Sequence, residues 1–163
     1  MDGTMVKRSD KVAFYGVPGE GGKYVFHRMK GFTEISTSKN PKEYSRQYID
    51  EAFETADVTG FSPSISYSFD QYIGDAAQED LVKICDEELL GSDAVRPIVM
   101  VDITKETNNA IMRDFAVIPD SEGGSTDAYT YSGSFKAHGK KVLGTATSDD
   151  DWQTITFAEG AAE

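Results

Sequence analysis

Cysteine is almost missing from this chain: Cys85 stands alone among 163 residues. A disulfide within the chain needs two cysteines and a cysteine-rich metal site needs more, so both are excluded. Histidine is nearly as scarce. His27 and His138 are the two, each close to a basic residue, Arg28 or Lys140. Neither lies in an HxH, HExxH or other ligand spacing, so both read as ordinary strand residues. Positive charge is also short: 16 Lys and Arg face 28 Asp and Glu, for a formal net charge of −12. Nucleic-acid binders gain affinity by neutralising phosphates with Lys and Arg, so this balance argues against DNA or RNA binding. It argues equally against an anionic membrane surface. No apolar run has signal-peptide or membrane-spanning length, and a polar stretch follows Met1. The expectation is a soluble chain made in a reducing cytoplasm and not exported by a signal sequence.

Catalytic signatures are missing too. There is no G-x-S-x-G and no P-loop. Gly19–Gly22 is glycine-rich, but no helix follows to present its N-terminus to a phosphate. Asp149-Asp150-Asp151 lacks the spacing and the closing glutamate of an EF-hand loop and reads as a solvated turn. Cys85 falls on an apolar helix stripe and reads as a small core residue. The acidic pairs Glu79-Asp80 and Glu87-Glu88 read as solvated helix surface. These absences together predict no enzymatic activity, no cofactor and no metal.

What is present is alternation. Between Phe61 and Phe69, Phe61, Pro63, Ile65, Tyr67 and Phe69 fall on one side of an extended chain and Ser62, Ser64, Ser66 and Ser68 on the other. A slip of one residue would exchange the two faces, so the register is strongly specified. The row of serines reads either as the solvated face of a half-buried strand or as a smooth surface past which something moves. Strands are expected at Lys11–Tyr15, Lys23–Met29 and Phe32–Ser38. Glu43–Asp50 is expected to complete a long hairpin, Phe32–Asp50, turning at Asn40-Pro41. Gly16–Gly22, Glu51–Gly60 and Pro119–Asp127 read as loops. Arg96–Ile103, Ala110–Ile118, Ala128–Ala137, Lys140–Thr147 and Trp152–Phe157 supply further strands. One helix is expected at Ala76–Leu90, N-capped by Asp75, with Gly91 as its C′ residue. Its stripe is Ala77, Leu81, Ile84, Cys85 and Leu89, with Gln78, Glu79, Asp80, Lys83 and Glu87 mainly off it. The fold class is therefore mainly β: an antiparallel β-sandwich or barrel-like subunit with one flanking helix at about 76–90. The length predicts a single domain, 1–163, with flexible arms at 1–10 and 158–163.

Four features in this order resemble the major tail tube protein of a long-tailed bacteriophage of the non-contractile, siphophage type. They are the polar segment FTEISTSKNPKEYSRQYIDE running into ADVTGFSPSISYSFD, the capped helix DAAQEDLVKICDEEL, the hairpin RPIVMVDITKETNNAIMRDFAVIP and the closing run YTYSGSFKAHGKKVLGTATSDDDWQTITF. The resemblance implies hexameric rings that stack into a tube, with inner strands closing a β-barrel lumen through which DNA passes into the host cell. It implies a structural virion protein, located in the tail after synthesis in the host cytoplasm. Its implied partners are other copies of itself, the tape measure protein, and the tail terminator and distal tail proteins. It also implies that loops and arms lock neighbouring rings, which makes Gly16, Pro18, Glu20, Glu51, Glu54 and Asp57 candidate inter-ring contacts. The composition agrees, because an acidic wall with small hydroxyls repels a polyanion and offers it no hook. Glu34, Glu43, Ser62, Ser64, Ser66 and Ser68 are the candidate lumen-lining residues. Two other readings stand beside this one. One is the tube of a contractile tail or phage tail-like particle. The other is a monomeric β-sandwich module binding sugar or protein, whose loops should carry exposed aromatics.

Overall fold

The computed structural model describes residues 3–160. Its strands are β1 (Lys11–Pro18), β2 (Tyr24–Arg28), β3 (Phe32–Ser38), β4 (Pro41–Arg46), β5 (Thr55–Phe61) and β6 (Ser64–Asp70). After helix α1 (Ala76–Asp86) come β7 (Val95–Asp102), β8 (Ala110–Gly124), β9 (Tyr129–Ala137), β10 (Val142–Thr147) and β11 (Thr154–Glu159). One antiparallel sheet runs β10-β11-β2-β1-β7-β8-β9-β6-β3, and β10 also pairs with β8. That last pairing closes β10, β11, β2, β1, β7 and β8 into a small barrel, which removes their free edges.

β8 is the strand on which the architecture turns. Ala110–Ala116 pairs with β7, while the other side of β8 pairs first with β10 and then, over Phe115–Gly124, with β9. The second half of β8 thus leaves the barrel and begins an extension, β8-β9-β6-β3. Pro119–Asp127 is expected to be a loop. The strand instead runs to Gly124, with its register shifting between Pro119 and Ser121. A bulge of this kind lets a proline sit in a strand without donating to the ladder.

Two apolar layers follow from period-two alternation. Val12, Phe14, Val99, Val101, Ala110, Ala146 and Ile155 fill the barrel. Ala13, Tyr15 and Ile98 point the other way and join Ile65, Tyr67, Phe69, Phe115, Val117 and Phe135 beneath α1. Both faces of β1 and β7 are buried, so these strands read as nearly unbroken apolar runs.

Helix α1 starts as expected, with the Asp75 carboxylate accepting from the Gln78 amide at 3.1 Å. Ala77, Leu81 and Ile84 are buried, and Cys85 and Leu89 pack against the same cluster. It ends sooner than Leu90. Glu88 takes the left-handed conformation (φ 50°), the Glu88 amide donates to the Cys85 carbonyl and the Leu89 amide to the Ile84 carbonyl. That is a Schellman cap with Glu88, not Gly91, as C′, and it turns Leu89 back onto the core. Gln78 and Asp80, expected off the stripe, face inward.

The expected hairpin Phe32–Asp50 is corrected. β3 does not pair with β4: Ser38 faces Ser64 and Pro41 faces Phe61. Asn40 bridges the two ladders, because the Ser62 amide donates to the Asn40 carbonyl at 3.2 Å and the Asn40 side chain donates to the Ser62 carbonyl at 3.0 Å. One long hairpin therefore spans Phe32–Asp70 and turns at residues 47–54, so Glu51–Gly60 is largely strand rather than loop. Asn40 accepts a left-handed φ of 46° without reversing the chain. β1 likewise continues through Gly16–Pro18, part of the expected loop Gly16–Gly22. At the C-terminal end, Ala158 and Glu159 are paired with Thr145 and Gly144 and do not form an arm. Met1, Asp2 and residues 161–163 of the expected arms lie outside the described residues.

Candidate functional site

The extension presents two opposite chemistries. On its helix side Tyr67 stacks on Phe135 with centroids 4.4 Å apart, Phe69 on Tyr131 at 5.5 Å, and Phe32 packs on Phe69 at 4.9 Å. Gly133 faces Tyr67, and a Cβ there would come within 2.8 Å of the phenol oxygen and 2.5 Å of the Ile118 carbonyl. The glycine is thus required by close approach. Burial raises the Tyr67 phenol above its ordinary range and pushes that of Tyr131 up to about 12.

The other side is a field of hydroxyls. Ser66 lies between Ser36 and Ser134, and Ser68 between Glu34 and Ser132. Ser64 lies between Ser38 and Lys136. Ser132 also faces Ser121, with the two Oγ atoms 2.7 Å apart. Directly paired residues share a face. The expected residues Glu34, Ser64, Ser66 and Ser68 are therefore brought together, and Ser62 sits at the hairpin junction. Glu43 is not among them. It pairs with Val58 beyond a register shift at Lys42/Glu43, out on the projecting part of the hairpin. Lys136, Thr130 and Ile118 share the face as well, and Ser36, Ser38, Ser121, Ser132 and Ser134 add to its hydroxyls. The alternation of β9 carried a signal for two of them, but only the register shows that they join the serines of β6.

Among the described residues the hydroxyl sheet has two unpaired margins. β3 ends the strand order, and beyond Ala116 the β7 side of β8 has no described neighbour. Part of the β3 margin is guarded by Arg8, whose Nη2 donates to the Ile35 carbonyl at 3.3 Å.

The candidate contact residues separate into groups. Gly16 is buried in β1 opposite Phe26, and a Cβ on it would meet Pro97 at 2.5 Å, so it offers no surface. Pro18 and Glu20 are exposed where β1 turns towards β2. Glu51 and Glu54 are exposed at the hairpin tip, and Asp57 lies 2.7 Å from Arg46 Nη1, off the axis of a hydrogen bond. Arg46 also donates to the Tyr48 hydroxyl at 2.8 Å and lies over the rings of Tyr44 and Tyr48. The tip exposes Tyr48, Ile49 and Phe53, so this turn does carry aromatics.

Elsewhere the polar groups are structural. Asp150 accepts from the Thr154 hydroxyl and amide, the Ser148 hydroxyl and the Gln153 amide, and these donors hold its carboxyl well below the usual range. Donor atoms of Cys85, Asp86 and Glu122 lie within 4.8 Å of one another. Burial and the surrounding carboxylates raise the Cys85 thiol, which disfavours the thiolate a metal would need. No described helix is long and apolar enough to cross a membrane.

No family model matches this chain, and no curated protein matches its sequence. Solved structures do match its fold. A chain in the tail of an empty gene transfer agent particle, solved with C6 symmetry, superposes with a TM-score of 0.63 at 14% identity, covering 85% of this chain and 98% of that one. A chain of the virion of a native gene transfer agent particle gives 0.61 at 13% identity, with 85% and 98% covered.

Proposed function

We propose that this chain is a structural subunit of a phage-like tail tube, assembled as hexameric rings that stack around a passage for DNA. The observation that carries the reading is the hydroxyl face of β8-β9-β6-β3. It bears mostly small side chains, belongs to a strongly acidic chain and lies between two unpaired sheet margins. Head-to-tail addition of β3 from one copy to the outer half of β8 in the next repeats the same contact and closes when the rotation allows it. Such closure satisfies both margins and turns the serines inward. Away from Lys136, which lies at the hairpin-root end of the face beside Ser64, duplex DNA then meets hydroxyls and carboxylates, to which its phosphates gain no ion pair. The fold shared with gene transfer agent tail and virion chains supports the reading, as does the C6 symmetry of one of them. The tape measure, terminator and distal tail proteins are the further partners it implies.

The test is electron microscopy of concentrated protein beside size-exclusion chromatography. Rings or tubes whose bore is lined by Ser66, Ser68 and Ser134 are expected. A bore lined by lysine and arginine, or a monomer at every concentration, would overturn the proposal. The exposed Tyr48 and Phe53 favour a second reading, a monomeric binding module, for which a clean monomer that binds a glycan array is the expected outcome.

A further inference from the structure

Where the hairpin leaves the body, a cleft of about 630 Å³ opens beside Arg113, Lys136 and Lys140, with Phe61 and Pro63 supplying apolar wall. No carboxylate among the described residues lines it. Among the described residues the ion pairs are Arg46–Asp57 and Arg96–Asp80, so these three cations are unpaired. Arg113 Nε is moreover buried without a hydrogen-bond partner. In a chain of net charge −12, a basic and partly apolar cleft runs against the overall charge balance. Unpaired positive charge beside apolar wall fits an acidic segment that also carries a hydrophobic side chain.

The same chain displays such a segment. Its hairpin tip bears Asp50, Glu51 and Glu54, all exposed, and holds Ile49 fully in solvent with Phe53 at 83% exposure. The tip is already shaped. The Glu51 amide donates to the Tyr48 carbonyl at 3.0 Å, and the Gln47 side chain donates to the Glu51 carbonyl at 3.0 Å. Order present before docking lowers the entropy lost on docking. The tip stands away from its own cleft by the length of β4, which at ~3.4 Å per residue is about 20 Å. The tip therefore does not reach the cleft of its own chain.

We infer that the acidic, aromatic hairpin tip of one copy docks into the Arg113–Lys136–Lys140 cleft of a second copy. The inference rests on the assembly reading above and names one of its contacts. Tip and cleft are different patches of the same surface, so the contact is heterologous and propagates from copy to copy. Glu51 and Glu54 meet Lys136 and Lys140, and Phe53 enters beside Phe61 and Pro63.

The experiment uses the full chain and two charge reversals, Lys136→Glu with Lys140→Glu and Glu51→Lys with Glu54→Lys. Circular dichroism checks the fold of each, and sedimentation velocity with negative-stain microscopy reads assembly. Each reversal alone is expected to raise the concentration needed for assembly about tenfold or more. The two combined should restore assembly towards the parent. A photo-cross-linking p-benzoylphenylalanine at position 53 should mark peptides containing Phe61–Ser64 or Lys136–Lys140 of a neighbouring chain. If the parent assembles while both reversals assemble equally well, or if the cross-link maps elsewhere, the docking inference falls and the tube reading stands. A parent that stays monomeric and yields no cross-link between copies overturns both.

Discussion

Arg96 donates through Nε to Asp80 Oδ2 at 2.8 Å, tying β7 to the underside of α1. The side chains retain 9% and 10% exposure, and the Tyr15 hydroxyl donates to the same oxygen at 2.5 Å. Arg96 spends its Nη1 donor on the Asp93 and Val95 carbonyls. Burial, with the Asp80 carboxylate beside it, keeps the Tyr15 phenol protonated well above its usual range. The helix is thus seated by a satisfied polar cluster within an otherwise apolar layer.

Removing one charge of this pair leaves the other buried and uncompensated. Arg96→Ala should cost about 3–5 kcal/mol in urea unfolding. Tyr15→Phe leaves Asp80 paired and should cost about 1 kcal/mol. Similar losses for both would show that the ion pair contributes nothing special.

Gly31 has φ +74°, and a Cβ on it would lie 2.7 Å from Gln78 Nε2 and 2.9 Å from the Tyr72 ring. Gln78 is buried there, donating to the Lys30 and Asp70 carbonyls at 2.8 and 3.0 Å and accepting from the Tyr72 amide at 2.7 Å. Gly31→Ala should lower stability by at least the ~1–2 kcal/mol of a left-handed alanine, with the crowding added. Thermal melts of Gly31→Ala and Gly139→Ala make the comparison, since Gly139 has open space for a Cβ.

Asp150 predicts an acid-sensitive turn. Its folded carboxyl is held below the unfolded value of about 3.9, so its contribution is fully present above that pH and fades as pH falls below it. Acid unfolding of Asp150→Asn should therefore show a shallower loss of stability below pH ~4 than the parent. Parallel curves would mean that the carboxylate does not anchor the turn.

Ser66 lies at the middle of the hydroxyl face and has no packing role to lose. Ser66→Lys should leave the melting temperature within about ±0.5 kcal/mol equivalent of the parent. Assembled tubes of this variant should retain duplex DNA at low salt and release it as salt rises, while parent tubes retain none. Co-sedimentation at two salt concentrations measures it, and equal retention by both would count against a lumen position.

The alternation of Ile65, Tyr67 and Phe69 against Ser64, Ser66 and Ser68 was legible in the chain because a strand buried on one face writes period two into its residues. So was α1, through Asp75 and its apolar stripe. The projecting hairpin was not. β4 and β5 are exposed on both faces, so no apolar pattern marks where the chain turns, and Asn40-Pro41 has the residues of a reversal although the chain continues there from one strand into the next. Gln78 and Asp80 are expected off the apolar stripe, because the partners that draw them inward lie elsewhere along the chain, at Lys30 and Arg96.

By itself, then, the order of residues determined which faces are apolar, where the single helix begins and that the surface is acidic. Tertiary structure alone decided that serines from β3, β6 and β9 form one continuous field, that β8 leaves a closed barrel to found it, and that three cations gather beside the hairpin's root. The reason is physical: face is a local property of backbone period, whereas neighbourhood depends on hydrogen-bond register between strands distant in sequence.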